Sequence, residues 1–186
     1  MVLAEIIAVG LIFGLLRGGT LKHVLSEPLT GEWILLVLLP LQMLWPSISR
    51  RAGLGCGISV VAWLAMMGVL AAVLFLNSRS RWMLAFAGLG IAMNVLAIGL
   101  NGAMPVSIKA TSEIGIPRVA ARAALEADCL HEELTDSSRL VVLADVIAVP
   151  GPRWQRGVLS IGDLLLALGL AAWLAEVSRG SPTAAT

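Results

Sequence analysis

The sequence predicts an all-α, polytopic membrane helical bundle of about five spans with a polar extracytoplasmic insert, and two observations carry that expectation. The 186 residues are 58% hydrophobic and only 13% charged, with a mean hydropathy of +0.91, whereas a soluble domain carries about 25% charged residues. The apolar residues are also gathered into runs near the ~20 residues that a helix needs to cross a bilayer core about 30 Å thick. A formal net charge of +1, with cations scattered singly and in pairs, offers no basic surface, so nucleic acid is excluded as a partner.

The first run, Met1 to Leu16, has no basic region ahead of it, carries Glu5, and is followed by Arg17 and Lys22 instead of a small-residue cleavage site. It reads as a retained span and not as a secretory signal, closed by Arg17-Gly18-Gly19 where glycine suits a helix C-terminus. The second, Trp33 to Ile48, places Trp33 and Trp45 where indoles favour the interface, and Pro40 predicts a kink. The third, Leu54 to Leu76, is followed by Asn77-Ser78-Arg79-Ser80-Arg81, a tight hairpin into the fourth, Trp82 to Leu100. Asn101-Gly102-Ala103-Met104-Pro105 then signals a turn. Residues 1–105 thus form a four-span membrane domain.

Composition changes after that turn. Between Val106 and Val158 roughly every fourth residue is charged, and the apolar runs are too short or too interrupted to cross a membrane. Residues 106–157 read as an extracytoplasmic insert, with a short helix at Pro117 to Leu134 whose wet side carries Arg118, Arg122, Glu126 and Glu133. A strand or half-helix is expected at Leu140 to Val149. Residues 158–178 form the fifth span, and 179–186 a cytoplasmic tail, disordered from Gly180.

Positive charge in short loops is retained on the cytoplasmic side. With the N-terminus outside, Arg17, Lys22, Arg79, Arg81 and Arg179 lie inside, against Arg50 and Arg51 outside. The insert then lies outside and the C-terminus in the cytoplasm. Small residues spaced four apart, Gly10, Gly14 and Gly18 in the first span and Ala167, Ala171 and Ala175 in the fifth, mark faces for close helix contact.

Few polar residues fall inside the spans: Glu5, Gln42, Asn94, Asn101 and Asp163. A carboxylate in a spanning helix is costly and is a functional hypothesis by default. Glu5 also reads as an interfacial carboxylate, and Asp163 as the acid of a capping box with Ser160 at the N-cap. Asp145 precedes a Pro150-Gly151-Pro152 turn that can bring it back to Asp163. Two carboxylates sharing a site cannot both ionise cheaply, and such a pair can act as acid and base upon water. Asn94 and Asn101, seven residues apart, share a helix face. Asp128-Cys129-Leu130-His131-Glu132-Glu133 contains metal-ligand types without a zinc motif, so a solvated helix face is expected, with no metal and no cofactor. Cys56 and Cys129 lie on one side and could form a disulfide in an oxidising compartment, although a buried thiol is the favoured state for Cys56.

Two resemblances follow from these motifs. GLLRGG, NGAMPVS, RLVVLADVIAVPGP and VLSIGDLLLALG, in that order, resemble an uncharacterised family of small bacterial multi-pass membrane proteins, a domain of unknown function. That resemblance implies location in the bacterial cytoplasmic membrane. Asn101-Gly102-Ala103 and the two aspartates, the second opening the last helix, resemble more weakly lipoprotein signal peptidase, a membrane aspartyl protease. The latter would make Asp145 and Asp163 a catalytic dyad with Asn101 as support, although Leu143, Ala144 and Val146 replace that family's surroundings of its first aspartate.

The function expected is binding of a ligand, lipid or partner helix at the outer face, through Asn101, Asn94, His131 and Glu5, or service as a subunit of a membrane assembly. Membrane lipid and other membrane subunits are the expected partners. The alternative is an aspartyl hydrolase acting on a membrane-embedded substrate through Asp145 and Asp163.

Overall fold

The computed structural model describes residues 2–153 and 155–180. Its framework is five apolar helices: α1 (Val2–Leu16), α3 (Glu32–Arg51), α4 (Cys56–Asn77), α5 (Met83–Asn101) and α8 (Ile161–Val177), with a short α2 (Leu21–Ser26) after the first. Three of them, α3, α4 and α5, are long and apolar enough to cross a membrane. α1 has 15 residues and α8 has 17, so on length alone these two fall short of the expected spans. α8 begins at Ile161 because Val158 and Leu159 are drawn into a strand and Ser160 becomes the N-cap. The expected tail, beyond Gly180, lies outside the described residues.

Close backbone contact explains which helices neighbour one another. A Cβ on Gly10 would collide with the Ala171 backbone and one on Gly14 with Ala175, so α1 and α8 run parallel, joined on the small-residue faces read from the sequence. Gly90 lies against Gly162 and Leu166, and Gly169 against Ala87, which makes α5 antiparallel to α8. Dispersion between backbones brought this near replaces the bulky interlocking of a soluble core. α4 and α5 share a core of Leu70, Ala71, Leu74, Leu84, Ala87 and Ile91. α3 rests mainly on α4, where Trp45 Nε1 donates to the Ser59 carbonyl at 2.9 Å.

At one end the polar loops are tied together. Thr20 N–H donates to Ser178 O at 2.6 Å, the Asn77 amide exchanges two bonds with the Thr30 backbone at 2.8 and 2.9 Å, and Arg81 pairs with Glu27 at 2.7 Å. The loops bearing Arg17, Lys22, Arg79, Arg81 and Arg179 therefore share this end. Gly18, at φ 88, turns the chain out of α1.

The opposite end carries the segment between α5 and α8. Gly102 stops α5 with φ 92, and β1 (Met104–Val106), α6 (Ile108–Glu113), α7 (Arg118–Glu126), β2 (His131–Glu133), β3 (Ile147–Val149) and β4 (Gly157–Leu159) follow, with a 3-10 turn at Val141–Leu143. β1 and β2 pair in parallel, β3 and β4 as an antiparallel hairpin. The helix expected to reach Leu134 stops at Glu126. Asp128 Oδ1 takes the Leu130 N–H at 2.9 Å, a local turn that competes with helix, and His131 to Glu133 then bond to β1 instead.

A second core of Val60, Ala97, Ile98, Met104, Leu130 and Leu143 seats this segment on α4 and α5. A disulfide joins Cys56, the first residue of α4, to Cys129. The buried thiol expected at Cys56 is thus corrected: the residue is exposed at the helix end, where Cys129 reaches it.

Candidate functional site

Asp163 is held by the start of α8. Ser160 Oγ accepts the Asp163 N–H at 3.0 Å and Asp163 Oδ2 accepts the Ser160 N–H at 3.1 Å, the reciprocal capping box expected from the sequence. Its other oxygen, Oδ1, accepts from Asn94 Nδ2 at 2.7 Å, while Asn94 Oδ1 accepts the Ser160 hydroxyl at 3.0 Å. Gly90 and Gly162 make this geometry available, because a side chain on either would push α5 and α8 apart.

Asp145 is held by the segment that follows α5. Its N–H donates to Pro105 O and its carbonyl accepts the Ser107 N–H, both at 2.9 Å, so it extends β1 as an isolated parallel bridge to Val106. The side chain is buried, and Oδ1 has no hydrogen-bond partner. Burial first, and then the charge of Asp163, push its carboxyl up to about 7, against a smaller opposing pull from His131. A buried carboxyl in that range can hold or release a proton near neutrality.

His131 belongs to β2, opposite Met104 of β1. Its Nδ1 lies 2.7 Å from Asp128 Oδ2. Burial pulls the imidazole down, but Asp128, followed by the charges of Asp145 and Asp163, outweighs it and holds the group above its ordinary value. The same hydrogen bond to His131 is the largest cause keeping Asp128 low. The charge of Asp163 thus acts on both Asp145 and His131, with Asn94 as the amide that orients Asp163.

The remaining residues singled out from the sequence are placed elsewhere. Asn101 spans the gap to the insert: its amide accepts the Arg139 N–H at 2.7 Å and donates to Arg139 O at 3.0 Å and Ala97 O at 2.8 Å. It is Asn94, not Asn101, that meets an aspartate. Glu5 accepts from Gln155 Nε2 at 2.6 Å, leaving Oε1 buried without a partner. Glu133 is taken by Arg122 at 2.8 Å, and among the described residues no three His, Cys, Asp or Glu side chains are grouped to hold a metal ion.

Two contributors escaped the sequence reading. Gln155 has no local signature, since its role comes from α1 crossing beside it. Trp173 lies within α8 and not at its entrance, and its indole N–H is buried without a partner; an indole in the middle of an apolar run is the signal that could have marked it.

The chain matches no curated protein and no solved structure. Residues 27–175 match the model of a family of unknown function, DUF5317, and the chain belongs to that family.

Proposed function

We propose that this chain is an integral membrane protein of five spans, N-terminus outside and C-terminus cytoplasmic, that binds a ligand through Asp145, Asp163, Asn94 and His131 at its non-cytoplasmic end. On this reading residues 1–105 supply four spans, 106–157 the outer insert and 158–178 the fifth. The observation that carries it is a buried Asp145 whose Oδ1 has no hydrogen-bond partner, within reach of the charges of Asp163 and His131 from two other elements. A carboxyl that can hold or release its proton near neutrality donates in one state and accepts in the other, so the group Asp145 receives is one that can do both or is a donor: a hydroxyl, an amine or an amide N–H.

The membrane, its bacterial cytoplasmic identity and the topology are supported by the apolar helices, the cationic loops gathered at one end, and the resemblances above. Labelling tests them directly. A cysteine at Ser137 is expected to react with a membrane-impermeant maleimide in intact spheroplasts, and reaction only after lysis sinks the topology. For the site, Asp145→Asn and Asp163→Asn are each expected to lose a small molecule that co-purifies with the parent, identified by mass spectrometry of solvent extracts. An extract identical across the three proteins sinks the assignment.

A second reading draws on the unequal pair. Asp145, held near neutrality beside a hydrogen-bonded Asp163, has the division of roles that an aspartyl hydrolase uses, acting on a membrane-embedded substrate. Its test is turnover: both aspartate-to-asparagine variants abolish hydrolysis of a membrane-bound peptide or ester pool while remaining folded.

A further inference from the structure

Five helices meet around a space that none of them fills. A cavity of about 600 Å³ lies between α1, α3, α4, α5 and α8, walled almost entirely by Leu, Ile, Met and Trp side chains. It begins at Asn94 and Asp163 and follows α8 to Trp173 and Leu174. Ten residues of helix separate Asp163 from Trp173, which is about 15 Å.

Close-packed interiors leave few voids larger than a water molecule. An apolar cavity stays dry and accepts apolar ligands, and ligand pockets commonly measure ~300–1,000 Å³. The flank of this one is defined by packing. α1 rests on α8 and α3 on α4, while Leu3 and Ile7 of α1 and Leu35 and Leu39 of α3 line the cavity from its two sides. The side facing the surroundings is therefore the gap between α1 and α3, whose outward residues, among them Val9, Phe13, Leu36 and Val37, are exposed and apolar.

Asn94 and Asp163 supply the paired polar groups, with Gln42 of α3 also in the wall and the unpartnered indole N–H of Trp173 at the far end. Asp163 and Asn94 both line the cavity while bonding to each other, and each keeps capacity: Asp163 has further lone pairs, and Asn94 a second N–H. A hydroxyl can accept from one and donate to the other, and an amine can donate to Asp163. A carboxylate head would meet like charge.

We propose that this cavity binds the alkyl chain of a membrane amphiphile, which enters between α1 and α3 and sets a hydroxyl or amine head group on Asp163 and Asn94. The inference deepens the reading of a ligand site at the non-cytoplasmic end and rests on it for the head group; the chain site rests on the cavity.

Trp63 and Trp173 stand in the wall and report on it. The full chain is reconstituted in phosphatidylcholine vesicles and titrated with a brominated long-chain alcohol, whose bromine quenches indoles on contact. A saturable quenching component is expected above the linear contribution of lipid-facing indoles, reversed by the unbrominated alcohol. Leu166→Phe and Leu35→Phe, which fill the cavity from different helices, are each expected to weaken it about tenfold, with thermal unfolding kept at the parental midpoint. A brominated long-chain amine is expected to saturate as the alcohol does, and a brominated fatty acid to bind about tenfold more weakly.

Purely linear quenching in the parent, or saturable quenching unchanged in both folded Phe variants, overturns the chain site. Equal binding of acid and alcohol, unaltered by Asp163→Asn, overturns the head-group assignment while leaving the chain pocket standing. Loss of the saturable component with a co-purifying ligand that still depends on Asp145 separates the two in the other direction.

Discussion

A buried carboxyl that also feels a second carboxyl's charge keeps its proton to higher pH than one in water, and Asp145 is such a group. Its ordinary value of 3.8 rises to about 7 in the fold, so between those values the unfolded chain releases a proton that the folded chain retains. Stability linked to this group is fully present below pH ~4, falls as pH rises toward 7, and stays low above it. His131, also held above its ordinary value, acts in the same sense, losing its contribution as pH rises through the folded value. Asp145→Asn is therefore expected to raise the unfolding midpoint at pH 8 and leave it unchanged at pH 4, read by thermal unfolding in detergent. The opposite change is expected at Asp163. Asp163→Ala strands the Asn94 amide and the Ser160 N–H and costs about 1–3 kcal/mol by chemical denaturation. Asp163 was legible as a capping acid because Ser160 stands three residues ahead of it, and its partner Asn94 was legible only as a polar residue in a span. Nothing in local spacing says which of Asn94 and Asn101 faces α8; the crossing at Gly90 and Gly162 decides it.

Among elements, α8 is the one that α1 and α5 are both built against, and glycine marks where. Gly90→Leu or Gly10→Leu places a side chain into the backbone of α8, and each is expected to abolish the folded, monodisperse state by size exclusion. Gly68, in the middle of α4, has open space where its side chain would be. Gly68→Ala is expected to stabilise by about 0.5–1 kcal/mol, because helix propensity is gained and no contact is lost. The long helices were found in the sequence to within a few residues, since apolar runs of that length have few alternatives. The insert was not: β1, β2, β3 and β4 are three residues each, too short to show a period of two. His131 to Glu133 becomes a strand only because Met104 to Val106 lies beside it.

The whole molecule is a helical bundle with one end tied by hydrogen bonds and an ion pair and the other covered by a segment that is covalently fixed. Cys56→Ser is expected to lower stability by about 2–5 kcal/mol relative to the oxidised parent, and an equal loss on adding dithiothreitol to the parent checks the cause. The sequence left this bond open, since the two cysteines are 73 residues apart and only the folding of the insert onto α4 brings them together. Their linkage also makes the chain a lasso. A tryptic nick after the exposed Arg118 or Arg122 falls within the loop, and its halves will migrate as one band on a denaturing gel until a thiol is added. A nick after Arg139 falls outside, and the pieces part at once, so the order in which bands appear reads the insert's geometry without any structure.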